Sequence, residues 1–364
     1  MKRWFLVTAM LLGTAAAADA LPRLPFQRVF IVVLENTTYA EALAQPFLGA
    51  LAASGALFTN FFAETHPSFP NYVALTAGST YGLSSNADVA LDVSHVGDLL
   101  ERTGRTWKVY AEGYPGGCFL GSSAGAYVRR HVPFVSFRDV QADPARCQRI
   151  VDAAALAGDI AAGTLPHYAL YIPDLNNDGH DTGVAFADHW LATVFGPRLG
   201  DPRFTDGLLF VVTFDEALDA SNRIYTVLWG PGVVPGTTSA SRYDHVSLLR
   251  TIEDAFGLGT LGQLDATAPS ITGIWQPTTI QLGAAGDTPV PARYDGDRLT
   301  DFAVYRPGTG EWSVLSSVTG LHTSAFGAPE ASGLGDTPVP ADFDGDGKAD
   351  LAIYRRSTGQ WFVR

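Results

Sequence analysis

Hydrophobic and polar positions follow two alternating rhythms along most of the chain. Val29 to Leu34 is an unbroken apolar run, the pattern of a strand buried on both faces of a parallel sheet. A helical spacing follows over roughly Tyr39 to Ser54, then a second strand over Ala56 to Phe62. Pro70 to Ala77 reads as the opening of a helix, because proline is tolerated in a first turn. Trp107 to Ala111, Tyr168 to Ile172, Leu208 to Phe214 and Ile224 to Trp229 are further strands. His245 to Phe256 is a helix: Val246, Leu249, Ile252, Glu253 and Phe256 recur at helical spacing and Gly257 stops it. Strands alternating with helices predict an α/β fold, a mostly parallel sheet with helices on both faces.

Near residue 275 the rhythm changes. After a Thr/Pro/Gly-rich link, GDTPVPARYDGDRLTDFAVYRPGTGEWSV begins at Gly286 and GDTPVPADFDGDGKADLAIYRRSTGQWFV at Gly335, 49 residues apart. They match at 18 of 29 positions, so they are two copies of one unit. A period of that size marks a small β-rich repeat domain. The expected division is therefore 21–275 for a catalytic domain and 276–364 for two repeats. Residues 1–20 read as a signal peptide: Lys2 and Arg3, an apolar stretch from Trp4 to Gly13, and Ala18-Asp19-Ala20 as the cleavage site. That predicts a secreted or periplasmic protein without stable membrane insertion. In an exported chain the two cysteines, Cys118 and Cys147, are expected to form one disulfide. A net charge of −13 argues against a nucleic-acid partner but not against phosphate chemistry, since a bound cation reverses the local field.

Candidate chemistry gathers at strand ends, where open α/β sheets carry their sites. Glu35-Asn36 follows the first apolar run and Asp215-Glu216 follows Leu208 to Phe214. Three carboxylates and an amide oxygen without thiolates suit one hard divalent cation: calcium, magnesium or manganese. Ser68, between a strand and a helix start, is the candidate nucleophile, with Thr65 as the competing hydroxyl. A helix N-terminus favours phosphate there, and a metal-bound hydroxyl ionises more readily. No G-x-S-x-G surrounds Ser68, which argues against an acyl hydrolase. His131 and His180 are candidates for hydrogen bonds to phosphate oxygens or for protonating the leaving alcohol. His66 orients the loop and His245 begins its helix, while His95, His167, His189 and His322 read as structural.

Together these clusters resemble the phosphoesterase family of secreted acid phosphatases and phospholipases C, in the alkaline phosphatase superfamily. The resemblance runs through Val29 to Asn36, His66-Pro67-Ser68-Phe69-Pro70-Asn71-Tyr72, Pro173-Asp174 to Asp181, Thr213 to Glu216, Asn222 to Val227 and Tyr243 to Asp254. It covers roughly residues 26 to 260. It implies an alkaline phosphatase-like fold, Glu35, Asn36, Asp215 and Glu216 as metal ligands, a phosphorylated Ser68, and Asn71 and His180 as phosphate contacts. Ala217-Leu218-Asp219-Ala220 replaces the histidine and glycines that phospholipase C members carry after the Asp-Glu pair, which favours a phosphomonoesterase. Phospholipase C is the alternative.

The C-terminal copies resemble FG-GAP/VCBS-type repeats. Asp342, Asp344, Asp346 and Asp350 form a D-x-D-G-D-G-x-x-D loop that fits one calcium. In the first copy Arg293 and Arg298 interrupt the pattern, while Asp295, Asp297 and Asp301 remain, so its calcium site is expected to be weak or absent. The repeats also raise a reading of another class: a calcium-dependent surface or adhesion protein with an inactive enzyme domain and a surface or matrix partner.

Overall fold

The computed structural model describes residues 26–277, 279–295, 300–316 and 320–364. The proposed signal peptide lies outside them. The described residues form two compact units, the first up to residue 277 and the second from residue 279.

The first unit is built on an eight-stranded sheet. In chain order its strands are β1 (Arg28–Leu34), β2 (Ala56–Phe58), β3 (Trp107–Ala111), β4 (Ile150–Asp152), β5 (Tyr168–Ile172), β6 (Leu208–Phe214), β7 (Thr226–Trp229) and β8 (Thr237–Ser239). Their spatial order is β8-β2-β7-β6-β1-β5-β3-β4. All run parallel except β7, which is antiparallel to both of its neighbours. Residues of β1 and β6 are buried almost without a break. Successive side chains point to opposite faces, so both faces of the sheet are covered, as the apolar runs require. Phe30 sits centrally, with the rings of Tyr110, Tyr171, Phe195, Phe204 and Phe210 around it at 5.2–6.2 Å. Truncating such a residue costs about 3–5 kcal/mol.

Two segments depart from the sequence pattern. The helix expected over residues 39–54 is two helices, α1 (Tyr39–Leu43) and α2 (Pro46–Ser54), because Pro46 starts a new first turn. The strand expected over residues 56–62 splits at Thr59-Asn60: β2 stays in the main sheet, while Phe61–Phe62 pairs with Tyr243–Asp244. The other named strands and the helix α4 (His245–Phe256) are present, with Gly257 ending α4 in the left-handed conformation at φ 61°. Between them, α3 (Ser68–Ala77) begins two residues earlier than expected.

Cys118 and Cys147 form a disulfide, with Cα atoms 5.4 Å apart. Among the described residues no helix is long and apolar enough to cross a membrane.

In the second unit each repeat makes the same antiparallel pairing. Tyr305 faces Trp312 in the first copy, and Tyr354 faces Trp361 in the second. Arg306 holds Asp287, and Arg355 holds Asp336, through paired guanidinium bonds. Val290, Ala303, Tyr305, Trp312, Val314 and Ile353 form a small apolar core shared by both copies.

Candidate active site

Strand register explains why the two acidic pairs meet. Leu34 of β1 lies beside Phe214 of β6 in a parallel pair, so Glu35 and Asp215 leave adjacent strand ends. The Asp215 N–H donates to the Leu34 carbonyl, and a further bridge joins Thr37 to Ala217. Neighbouring strands stand about 4.8 Å apart, which puts the Glu35 and Asp215 carboxyls side by side.

Ser68 opens α3 after a cis His66-Pro67 bond. Its hydroxyl lies 3.3 Å from Glu35 Oε2 and 3.4 Å from Glu216 Oε1. Tyr72, one turn further along the same face, donates its hydroxyl to Glu35 Oε1 at 2.6 Å. One oxygen of Glu35 is thereby fixed, and the other faces the serine. Of the first three helical positions, Phe69 donates its N–H to Asn86 Oδ1 and Pro70 has none. The Ser68 N–H is left at the helix mouth, a narrower donor set than a generic N-terminus offers.

The loop leading into Ser68 is clipped to the loop that follows Asp215. His66 Nδ1 lies 2.6 Å from Glu216 Oε2. Asn222, at φ 50°, accepts from the Ala217 N–H and donates to the Thr65 carbonyl. Asn71 has a different place from the phosphate contact suggested by resemblance. Its Oδ1 accepts from the N–H groups of Glu64 and Thr65, and its Nδ2 donates to the Thr65 and Pro67 carbonyls. Both ends of that amide are saturated in shaping the loop.

His131 is fully buried and stacked on Tyr72, with ring centroids 5.2 Å apart. Its Nε2 lies 3.1 Å from Glu35 Oε1 and its Nδ1 3.3 Å from Asp178 Oδ2. It therefore faces two carboxylates from inside the protein, a poor position from which to meet a leaving alcohol. His180 stands at the opening, its side chain 34% exposed, with Nδ1 2.7 Å from Asp181 Oδ1. The expected hydroxyl rival, Thr65, turns its Oγ1 to the His66 carbonyl.

Electrostatics set this cluster apart. Glu35, Asp178, Asp215 and Glu216 are between 0% and 8% exposed, and among the described residues histidines are their only ion-pair partners. Burial, then the charges of Asp215 and Asp178, raise Glu35 well above the usual carboxylate range. Burial first and Glu216 second push Asp215 up to about 8. Asp178 is pushed up to about 8, chiefly by burial, against the His180 N–H bond that favours its charged form. Burial also raises Glu216, offset in part by His66. The Ser68 hydroxyl and the N–H groups of Glu216 and Asn36 lie close enough to favour its charged form, yet neither Asp215 oxygen has a hydrogen-bond partner of good geometry. Buried, orphaned carboxylate oxygens beside a hydroxyl are what a hard cation would satisfy, so the residues fit the expected metal. Asn36, half-buried at φ 35°, is at the same strand end.

Asp178 and Tyr72 were not singled out as functional residues from the sequence. Tyr72 carried a signal: it is four residues after Ser68 on a helix. Asp178 lay within a candidate cluster, but nothing in the order of residues shows which of its acids turns inward.

In the second unit, oxygens of Asp342, Asp344 and Asp350 lie within 4.8 Å of one another. Asp346 stands outside that group and accepts from the Lys348 N–H. In the first copy Asp301 accepts from the Tyr294 N–H, whereas Asp297 and Arg298 lie outside the described residues.

Residues 39–259 match the model of the Phosphoesterase family. A "Probable acid phosphatase" of Kluyveromyces lactis is 34% identical over 281 residues, 71% of this chain and 66% of that protein. An "Acid phosphatase" of Aspergillus fumigatus is 35% identical over 257 residues, 67% of this chain and 58% of its own. The chain thus spans less than two thirds of the length of both fungal relatives. A "Phosphatidylinositol-3-phosphatase" of Mycobacterium tuberculosis is 38% identical over 265 residues, covering 71% of this chain and 85% of that one. A solved Vibrio parahaemolyticus protein of the alkaline phosphatase superfamily aligns over 86% of this chain and 85% of its own, at 13% identity and a TM-score of 0.49, a likeness too slight to bear on chemistry. On the family match and the extent of these alignments, the chain belongs to the Phosphoesterase family.

Proposed function

We propose that the protein is an exported phosphomonoesterase that hydrolyses phosphate esters through a phosphoserine at Ser68. The observation that carries this reading is the Ser68 hydroxyl at a helix mouth, 3.3 and 3.4 Å from the Glu35 and Glu216 carboxylates. Family membership and the acid phosphatase relatives support the reaction class.

Glu35, Asn36, Asp215 and Glu216 would hold one divalent cation (calcium, magnesium or manganese), with the Ser68 hydroxyl beside them. When bound, that cation supplies positive charge against the phosphoryl oxygens and lowers the pKa of the serine hydroxyl. The chain's own residues do the rest. Ser68 Oγ bonds to phosphorus as the bond from phosphorus to the alcohol oxygen breaks. Its hydroxyl proton has the Glu35 and Glu216 carboxylates within reach. His180, at the opening, gives a proton to the departing alkoxide, and Asp181 orients its ring. Water then attacks the phosphoserine, releasing phosphate and restoring the hydroxyl. Tyr72 and His66 keep Glu35 and Glu216 turned toward the serine.

The identity to a phosphatidylinositol-3-phosphatase favours a second reading of the substrate, a phosphate monoester on a lipid headgroup. Leu218, two residues after Glu216 and 67% exposed, offers apolar surface next to the acidic pair. In the second unit we propose one calcium at Asp342, Asp344 and Asp350, with Asp346 completing the loop, as in the FG-GAP/VCBS-type repeats it resembles.

The test is turnover of p-nitrophenyl phosphate beside a phosphoinositide monophosphate and phosphatidylcholine. Release of phosphate from either monoester, abolished in Ser68→Ala, is expected. Release of phosphocholine as the main product would overturn the monoesterase reading.

A further inference from the structure

The two repeats of the second unit make one junction with each other, and that junction leaves two faces over. In each copy a strand pair sends alternate side chains to opposite faces. The first copy has Tyr305, Trp312 and Val314 on one face, and Phe302 and Val304 on the other. At the offset of 49 residues, the matching faces of the second copy carry Tyr354, Trp361 and Val363, and Leu351 and Ile353 with Phe362. Ile353, with Leu351 and Phe362, packs into the core of Tyr305, Trp312 and Val314. The second face of one copy therefore covers the first face of the other. Across the same junction the Ala349 N–H donates to the Arg293 carbonyl at 2.6 Å.

Burial shows what the cover does. Trp312 and Val314 are 0% and 8% exposed, whereas their counterparts Trp361 and Val363 are 55% and 46% exposed. Phe343, the counterpart of Tyr294, adds a ring 6.2 Å from Trp361 and is 50% exposed. On the opposite face of the first copy, Phe302, the counterpart of Leu351, is 46% exposed. End repeats of a stack ordinarily turn polar faces outward, but both outward faces here carry exposed aromatic rings.

We propose that the second repeat takes the first repeat of another copy of this chain, through the same junction that the two repeats make within one chain. Phe302 and Val304 of the incoming chain lie on Trp361, Val363 and Phe343. The chain itself supplies the template: Trp361 stands where Trp312 does, and Phe302 where Leu351 does. Charge agrees with this occupant. The loop of the second copy exposes Asp342, Asp344 and Asp346, and the first copy has an exposed Arg293 at the position of Asp342. Stacking brings those two loops together, as the bond from Ala349 to Arg293 does within the chain. Unlike faces meet, so each added chain presents the same two faces again and assembly does not stop at a dimer. A junction of one strand pair from each chain is at the small end of protein interfaces, so association is weak and concentration-dependent.

The experiment follows the mass of the full chain by sedimentation as its concentration rises. The wild type should pass from monomer through dimer to larger species. Trp361→Lys and Phe302→Lys, one on each face, should each stay monomeric alone. Mixed in equal amounts they should form a dimer and nothing larger, because one intact face of each kind remains, on different chains. Melting temperatures like the wild type's confirm that both variants are folded. A wild type that is monomeric at every concentration overturns the proposal and leaves the exposed rings to a different occupant. So does a mixture that stays monomeric. Association of either variant alone, to the extent of the wild type, overturns it as well, since contact would then run through like faces or elsewhere.

Discussion

Two gatherings of carboxylates, the aspartate loop of the second unit and the cluster behind Ser68, differ in what satisfies them. In the second unit the aspartate loop is exposed and serves itself: Asp342 accepts from the Gly345 and Gly347 N–H groups, Asp344 from Asp346, and Asp350 from Phe343. Behind Ser68 the carboxylates are buried, and both oxygens of Asp215 and one of Asp178 have no such partner. A loop in water tolerates its own charges, so a cation there is an addition. A buried cluster without lysine or arginine must either give up charge by taking protons or keep it by holding a cation. On the proposed reading, the same residue types mean an accessory site in one unit and a chemical centre in the other.

Removing the proposed nucleophile gives the largest effect on that contrast. Ser68→Ala should lower turnover about ten-thousand-fold, measured by steady-state phosphate release, while calcium binding by the aspartate loop stays unchanged. Asp215→Asn comes next. Activity and buried cation content should both fall, by at least about a hundredfold in affinity. Above about pH 8, where the metal-free wild type would carry Asp215 charged, the metal-free variant should melt higher, because one buried charge is gone. A lower melting point would mean the acidic cluster is stable without a cation, erasing the difference between the two gatherings. Asp350→Ala should abolish the calcium-induced rise in stability, about 2.7 kcal/mol at a hundredfold excess over Kd, and leave the buried site's cation content as it was.

Two features of the first unit sharpen the comparison by separating burial from catalysis. Opening the disulfide with Cys118→Ser and Cys147→Ser should reduce stability by about 3–4 kcal/mol, read from urea unfolding, given their sequence separation of 29. Glu253 is a buried carboxyl on α4, and burial first and the Asp265 charge second push it up to about 9. Its folded-state pKa is raised, so its contribution to stability is fully present below the unfolded value and lost as pH rises through about 9. Glu253→Gln should therefore flatten the fall in melting temperature between about pH 4.5 and about pH 9. An unchanged profile would show that burial alone does not make a carboxyl pH-sensitive here.

The architecture was legible where one signal dominates. β1 and β6 are unbroken apolar runs, and their ends delivered Glu35 and Asp215 as expected. Shorter strands such as Ile150–Asp152 and Thr237–Ser239 have no pattern strong enough to be seen, and they form the two sheet edges. Site roles were harder. His131 and His180 are both loop histidines in sequence, yet one is sealed between carboxylates and the other meets solvent. Only the packing of Tyr72 over His131 separates them. Asn71 and Asn222 look alike as exposed-type amides, but their work is to hold backbone groups 64–67 and 217 in place. Such bonds depend on which chain passes nearby, which residue order does not encode locally.

The most direct measurement is an acid quench during turnover of p-nitrophenyl phosphate, with the modified residue located by peptide mass spectrometry. The account predicts a phosphate on Ser68, absent from metal-stripped protein. Phosphate on another residue, or steady turnover with Ser68 never modified, would contradict it.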